Sequence, residues 1–527
     1  MVSKFNSKIN ILYFYYFFLI CFSFSINFWT ASRGVLPLDT FLHFDSGSRI
    51  LNNELPIRDY WIVHGLLVDY MQSLFFKMFG VNWKSYVIHS SLFNFILTIF
   101  SFKIFKDFKI GDFKAFLLSV SFSILAYPVS GTPFLDLHSA YLSLIAVYFL
   151  ILAIKNNNSI YIYFSTIALG LAFLCKQVPA GYTILGIGIY IIFYSYRTKS
   201  LIPIIYSLYG VITFFTLLFI FLFLTGTDFQ NFFFQLITFP GNIAEERFSS
   251  YSLNLNNVFF NFKFIYFFLI FIFFFVGKDI IRNKKICEQK LNYFFIITIY
   301  TISLIHHQIF TKNQIFIFFL IPILCAFAIH LIDNDKFEKK FFFTVFLILV
   351  CIFSTLKYGE RYVIDRKFHE LEYVKKENSV KMSFVNKKLK GLNWISPYFT
   401  KPQDELKNII NLYQILQNDK SNKMLITEYN FFSSLLEENL NSPSRTFDDI
   451  SYPKKTSKYF TIYKNFFKEK IKSKKIQNIY IFETKEIKQE RLNHLVFNYI
   501  SKNCFEIEHI NSFTKKLIIN KCYDLKS

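Results

Sequence analysis

A chain of 527 residues that is 53% hydrophobic and 21% aromatic, with 73 Phe and a formal charge of +22, is not a soluble globular protein, which would neither expose nor bury so much Phe. Apolar runs long enough to cross a hydrocarbon layer of ~30 Å recur through the first two thirds and stop near Lys357. The expected architecture is an α-helical polytopic membrane part, residues 1–357, followed by a soluble α/β tail, residues 358–527.

About eleven spans are expected in chain order, near residues 11–29, 83–102, 113–131, 137–154, 159–175, 178–195, 201–224, 258–277, 291–309, 314–332 and 341–357. The first follows Lys4 and Lys8 and is longer than a signal-peptide core, so it reads as a retained anchor; cleavage after "TAS" would only remove that span. Lys103, Lys106, Lys109, Lys155, Arg197, Lys199, Lys278, Arg282, Lys339 and Lys340 collect on the side of the N-terminus, which puts that terminus in the cytoplasm. The long loops at 30–82 and 225–257 and the whole tail then lie outside the cytoplasm. The tail is Lys-rich, but long domains translocate largely regardless of charge.

The first long loop holds "VLPLDTFLHFDSGSRILNNELPIRDYWIVHGLLVDY", a concentration of ionisable residues between apolar runs. Asp39 follows Pro37 at the exit of span one and is either held over the outer end of the bundle or simply a helix N-cap. Asp39 and His43, four apart, would share one face of a short helix, and Asp45 and Arg49 another, the latter as a structural ion pair. In "PIRDYWIVHG", Arg58, Asp59 and His64 offer a guanidinium for a phosphate and a carboxylate with an imidazole for metal binding or acid–base work; an ordinary polar turn is the alternative. "GLLVDYMQSLFFKMFG" is too short to span and reads as a helix lying in the interface.

Further polar spots fall on the same outer side. Asp136 and His138 open span four, and Lys176 and Gln177 stand in the gap between spans five and six. Glu245, Glu246 and Arg247 lie in the second long loop, and His306, His307 and Lys312 between spans nine and ten. Lys176 is either a snorkelling residue or a phosphate ligand. Span interiors are almost free of ionisable residues, whereas proton-coupled carriers and pumps need them near mid-membrane. The pattern favours chemistry at the outer membrane face over transport through it.

The tail reads as a charged, helix-like stretch ("DRKFHELEYVKKENSVKMSFVNKKLKGL"), a strand ("KMLITEY"), a helix ("FFSSLLEEN") and a polar basic stretch. A strand ("NIYIFET"), a helix ("KQERLNHLVFNYISKN") and a hairpin ("FEIEHINSFTKKLIIN") follow. No glycine-rich nucleotide motif occurs. A basic domain outside the cytoplasm meets anionic lipid or polysaccharide rather than nucleic acid. Cys504 and Cys522 flank the hairpin and could pair as a disulfide in an oxidising compartment; no cysteine spacing makes a zinc site.

Taken in order, Asp39, "SRILNNELPIRDYWIVHG", Asp136, the Lys of "FLCKQ" and "KNQIFIFFLIP" resemble the GT-C class of integral-membrane glycosyltransferases. The closest likeness is to bacterial relatives of the protein O-mannosyltransferases and lipid A aminoarabinose transferases. The resemblance covers nearly the whole chain, its tail included. The family often has Asp-Glu where this chain has Asp39-Thr40, and Gly-Pro where it has Gly65-Leu66.

The resemblance implies a protein of the bacterial inner membrane that transfers a sugar, with inversion, from a polyprenyl-phosphate carrier to a hydroxyl of a glycan, lipid or protein acceptor. It implies Asp39 as general base and Arg58, Lys176 and Arg247 as partners of the phosphate leaving group. His64, Asp59 and Asp136 would position acceptor or sugar, and Asp39, Asp59 and Asp136 are the carboxylates open to a divalent metal if one is used. A polysaccharide polymerase or ligase of another polytopic family is the rival enzyme reading, and a flippase or transporter the rival outside enzymes.

Overall fold

The computed structural model describes residues 2–249, 254–283, 288–311, 317–333, 339–447, 451–483 and 496–520. The chain forms two compact units from interleaved segments: Met1–Ala31, Val87–Ile220 and Arg247–Phe368 make one, and Ser32–Tyr86, Phe221–Glu246 and His369–Ser527 the other. Both long loops thus belong largely to the same compact unit as the tail.

Among the described residues, nine helices are long and apolar enough to cross a membrane: Ile11–Ala31, Trp83–Asp107, Asp112–Val129, Leu135–Asn156, Gln177–Thr198, Ile202–Thr225, Leu255–Ile281, Glu288–Thr311 and Lys340–His369. Two shorter apolar helices, Ile160–Cys175 and Leu320–Asp333, fall where the fifth and tenth spans were expected. The α-helical polytopic reading therefore holds. Leu320–Asp333 is buried from Leu320 through Ile332, as a helix apolar on every side must be.

The first unit is pinned by side-chain amides that satisfy polar groups between helices, where lipid offers no substitute partner. Asn27 Nδ2 donates to Ser90 Oγ, Ser91 Oγ and the Gly131 carbonyl, and Asn94 Nδ2 donates to the Ser23 and Ser123 carbonyls. Gly131 has φ +79°, and a Cβ there would stand 2.9 Å from the backbone of Ala31, so a larger residue would force the turn away from the first helix.

In the second unit, strands β1 (Val380–Lys381) and β2 (Asn393–Trp394) form a small antiparallel pair. Strands β3 (Lys423–Thr427), β4 (Asn478–Phe482), β5 (Phe505–His509) and β6 (Thr514–Ile519) form a sheet in the order β3-β4-β6-β5. β3 and β4 are parallel and buried along their whole length, which fits a sheet covered on both faces. β5 and β6 are the expected hairpin. Cys504, just before β5, is disulfide-bonded; Cys522 lies outside the described residues.

The charged stretch expected as a helix at 365–392 is instead a series of short 3-10 turns, with Arg366 and Glu370 at positive φ. Those positive φ values interrupt a right-handed helical path early in the stretch, even though its buried apolar residues, Leu371, Met382, Leu389 and Leu392, keep helical spacing. Two helices were missed, Pro402–Asn418 and Phe460–Ser473, the second within the stretch read as polar and basic. Both are amphipathic: Leu406, Ile409, Leu412 and Leu416 line one, and Tyr463, Phe467, Lys470 and Ile471 the other. The first half of the helix expected over 488–503 lies outside the described residues, and 496–499 are helical. The "GLLVDYMQSLFFKMFG" segment is a helix, Leu66–Phe79, but it buries Asp69 and Gln72 while leaving Leu74 and Met78 exposed.

An apolar hub and buried charge clusters join the loop segments to the tail. Trp61 sits edge-on to Phe234, Phe239, Tyr463 and Phe466, and its N–H and carbonyl bond Pro443 and Arg445 of the tail. Arg49 grips Glu54 with two bonds of 2.9 Å and lies 3.7 Å over the Tyr60 ring. Lys470 adds a third cationic bond to Glu54 at 2.7 Å, and Asp45 pairs with Arg49 at 3.6 Å as expected. Burial alone would raise the Glu54 carboxyl, but Arg49 and Lys470 outweigh it and hold it down at about 2.

Glu54 therefore stabilises the fold fully above its unfolded pKa of about 4.5, and on the order of 3 kcal/mol is lost as the pH falls toward 2. In Glu54→Gln protein, the steepening loss of thermal stability below about pH 4.5 is expected to flatten relative to the parent in detergent. Parallel pH profiles for the two proteins would remove this role from Glu54.

Candidate functional site

Asp39 lies in a one-turn helix, Pro37–Thr40, whose N-cap is Leu36. Thr40, not Asp39, closes the turn, because Thr40 Oγ1 accepts the Leu36 N–H. Asp39 is thus half-buried at the third helical position and is not the N-cap. The chain breaks helix at Phe41 before resuming at Leu42–Leu51, so Asp39 and His43 do not share the face that their spacing suggested. Phe41 fixes the break by packing against Trp83, Trp394 and Phe431, while Tyr86 Oη donates to the Thr40 carbonyl. Burial first, then the charges of Glu428, Asp39 and Glu370, push the Tyr398 phenol upward.

His43 instead meets Asp69. Its Nδ1 stands 2.6 Å from Asp69 Oδ1, and Arg445 Nη1 donates to Asp69 Oδ2 at 2.8 Å, with all three side chains buried. Burial, partly offset by Asp69, lowers the His43 pKa and favours a neutral ring that donates to the carboxylate. Arg445 Nη2 also donates to the His64 carbonyl. Gly65, at φ +85°, follows; a Cβ there would meet Arg445 Nη1 at 2.8 Å and His43 Cε1 at 3.1 Å, so the "HG" pair is a packing requirement of this cluster. His64 thus enters the cluster through its backbone. Asp69 and Arg445 were not singled out in sequence: one is an acid within an apolar helix, the other a lone Arg in a polar loop.

Arg58 and Asp59 come together. Arg58 Nε and Nη2 donate to Asp59 Oδ2 at 3.0 and 2.7 Å, and its remaining donors reach the Asn53 and Thr225 carbonyls. Asp59 also accepts the Leu55 N–H. The Arg58 side chain remains 39% exposed. These two residues staple their loop, and a phosphate at Arg58 would compete with Asp59.

In the membrane unit, Asp136, Lys176 and His307 form a second constellation. Asp136 stands in the first turn of the helix Leu135–Asn156, and Lys176 is the extended residue between two helices, at φ −157° and ψ 131°. Lys176 Nζ donates to both Asp136 oxygens at 2.7 and 2.8 Å, and His307 Nε2 is 2.9 Å from Oδ1. Ser139 Oγ holds the Lys176 carbonyl at 3.0 Å, which fixes the bend. Lys176 keeps 19% of its side chain exposed, against 6% for Asp136 and 2% for His307. Two residues along, His138 contacts Tyr127 Oη at 2.5 Å and His89 Nε2 at 3.1 Å. Arg247 belongs to the helix Phe239–Ser249, but its side chain lies outside the described residues, as does Lys312.

Among the described residues, no three His, Cys, Asp or Glu side chains form a group that could hold a metal ion. Asp59 and Asp136, two of the carboxylates considered for that task, each already answer a cationic side chain.

Residues 63–222 match the family model described as dolichyl-phosphate-mannose-protein mannosyltransferase. No curated protein matches by sequence. Among solved structures, ArnT from Cupriavidus metallidurans in the apo state is similar at 9% identity and a TM-score of 0.50, over 95% of this chain and 96% of that one. ArnT from the same organism bound to undecaprenyl phosphate aligns at 11% identity and a TM-score of 0.47, over 96% and 98%. The chain is a multi-pass membrane protein with the fold of ArnT and, over residues 63–222, a sequence matching the mannosyltransferase family model.

Proposed function

We propose that the protein is an integral-membrane glycosyltransferase that moves a sugar from a polyprenyl-phosphate carrier to a hydroxyl acceptor on the outer face of the membrane, with inversion. The observation that carries this reading is the match of residues 63–222 to a family whose description names a sugar on a lipid phosphate, dolichyl-phosphate-mannose. The ArnT-like fold supports it at the level of architecture. The basic residues on the N-terminal side of the spans support an N-terminus in the cytoplasm and a tail outside it.

Asp39 is the general base in this reading. It takes the proton of the acceptor hydroxyl as that oxygen attacks the anomeric carbon, while the bond from that carbon to the phosphate oxygen breaks and the electron pair leaves with the phosphate. Its half-buried place in a short turn that Thr40 closes supports that role. Lys176 answers the charge that grows on the leaving phosphate. Asp136 and His307 keep its ammonium at a fixed point, and the exchange of one anionic partner for another gives it a reason to be paired at rest. Arg58 and Arg247 are assigned to the same phosphate chemistry, and Asp59, His64 and Asp136 to positioning.

With the protein in liposomes loaded with a polyprenyl-phosphate sugar, Asp39→Asn is expected to lower transfer by about 10²-fold or more at unchanged insertion and expression. Full activity in that variant would remove Asp39 as base. Lys176→Ala is expected to raise the apparent KM for the lipid-linked donor or cut turnover while thermal stability changes less. Unaltered kinetics would return Lys176 to a residue that merely snorkels at a helix junction.

A further inference from the structure

The tail carries a groove of about 580 Å³ that the site described above does not use. Its walls are Tyr398 and Phe399 from the loop after β2, Phe513 from the turn of the β5–β6 hairpin, and Asp404, Lys407 and Asn408 from the first turns of the helix Pro402–Asn418. The two Phe rings stand 5.6 Å apart at 52°, offering faces rather than a closed stack. Asp404, Lys407 and Asn408 occur at i, i+3 and i+4, so one helix face presents a carboxylate, an ammonium and an amide to the groove.

The wall that carries the aromatics is firmly built. The buried Glu405 carboxylate accepts Trp394 Nε1 at 2.9 Å, Tyr429 Oη at 2.9 Å and Ser396 Oγ at 2.7 Å. Ser396 Oγ in turn accepts the Tyr398 N–H at 3.1 Å. A buried carboxylate with this many donors fixes the loop, and the lining aromatics inherit that order.

Aromatic faces beside a mixed set of hydrogen-bonding groups match one chemistry well. A pyranose ring has an apolar C–H face that rests on an aromatic ring, and hydroxyls around its edge that both donate and accept. A lipid chain would call for an apolar lining throughout, whereas Lys401, Asp404, Lys407 and Asn408 offer both donors and acceptors to neutral hydroxyls. Tyr398 supplies the direction: it lines the groove, donates to Glu428 at 3.4 Å, and its loop is tied to the segment leading to Asp39 by the Val35 N–H, which donates to the Ile395 carbonyl at 2.9 Å.

Resting on the transferase reading, we propose that this groove binds a pyranose unit of a carbohydrate acceptor, and that the glycan so held presents its hydroxyl toward Asp39. The acceptor class is then a glycan, or a lipid bearing one, rather than a bare polypeptide.

The test is saturation-transfer NMR on the full chain in nanodiscs, with methyl glycosides of glucose, galactose, mannose and N-acetylglucosamine and their disaccharides as probes. Saturation of sugar ring protons is expected for at least one probe, with a marked loss in Phe399→Leu, which keeps apolar volume but removes the ring face. Because Asp404 is exposed and Asn408 only half-buried, Asp404→Ala combined with Asn408→Ala tests the groove at little risk to folding, and affinity is expected to fall about tenfold. Saturation of no probe, or saturation unchanged in both variants, overturns the proposal. Binding of a polyprenyl-phosphate sugar, followed in the same nanodiscs as a shift in thermal stability, reports on the transferase reading separately. Sugar binding without any donor binding would sink that reading and leave the groove standing.

Discussion

The carboxylate of Glu54 is the point on which the second unit depends. It is buried between the guanidinium of Arg49 and the ammonium of Lys470, which lie on a loop helix and a tail helix. Taking three charges out of water is costly, and the arrangement is tolerable only because each is answered with good geometry. Arg49 also spends a donor on the Ser442 carbonyl, and Lys470 one on the Asp59 carbonyl, so the cluster sets backbone as well as charge. Loss of any one partner leaves an uncompensated buried charge. For that reason the loops of residues 32–86 and 221–246 are structural parts of the tail unit rather than free connections.

On that frame the ionisable residues separate by task. Arg49, Glu54, Lys470 and Asp45 hold the scaffold, and His43, Asp69 and Arg445 hold the entry to the helix Leu66–Phe79 beneath Gly65. Arg58 and Asp59 neutralise each other at a loop surface. Asp39 is set apart by its turn, which Thr40 closes through the Leu36 N–H. In the membrane unit, Asp136 does not stand alone as an acid but pairs with Lys176 and His307. Under the proposed reading, that ion pair holds the ammonium in position before the phosphate arrives.

Much of the fold was legible in sequence because the membrane imposes a simple rule. Apolar length alone marks a helix in lipid, and each expected span falls on an apolar helix, two of them shorter than a full crossing. The tail was legible where strands are continuous apolar runs, as at β3 and β4, or where a polar turn divides two alternating runs, as at β5 and β6. It was not legible at Phe460–Ser473, whose many lysines mask a narrow apolar stripe, nor at 365–392, where a helix-like pattern does not reveal the positive φ of Arg366 and Glu370 that breaks it.

The sequence by itself determined the membrane class, the position of the spans, the α/β tail and the short list of residues able to do chemistry, because composition and periodicity are local properties of the chain. Partnership was decided only by tertiary structure. Asp136 meets Lys176 across 40 residues and His307 across 171, Arg445 reaches Asp69 across 376, and Lys470 reaches Glu54 across 416. No spacing rule spans such distances. A buried charge takes whichever opposite charge the packing of apolar helices and strands delivers to it, and that delivery is a property of the folded chain alone.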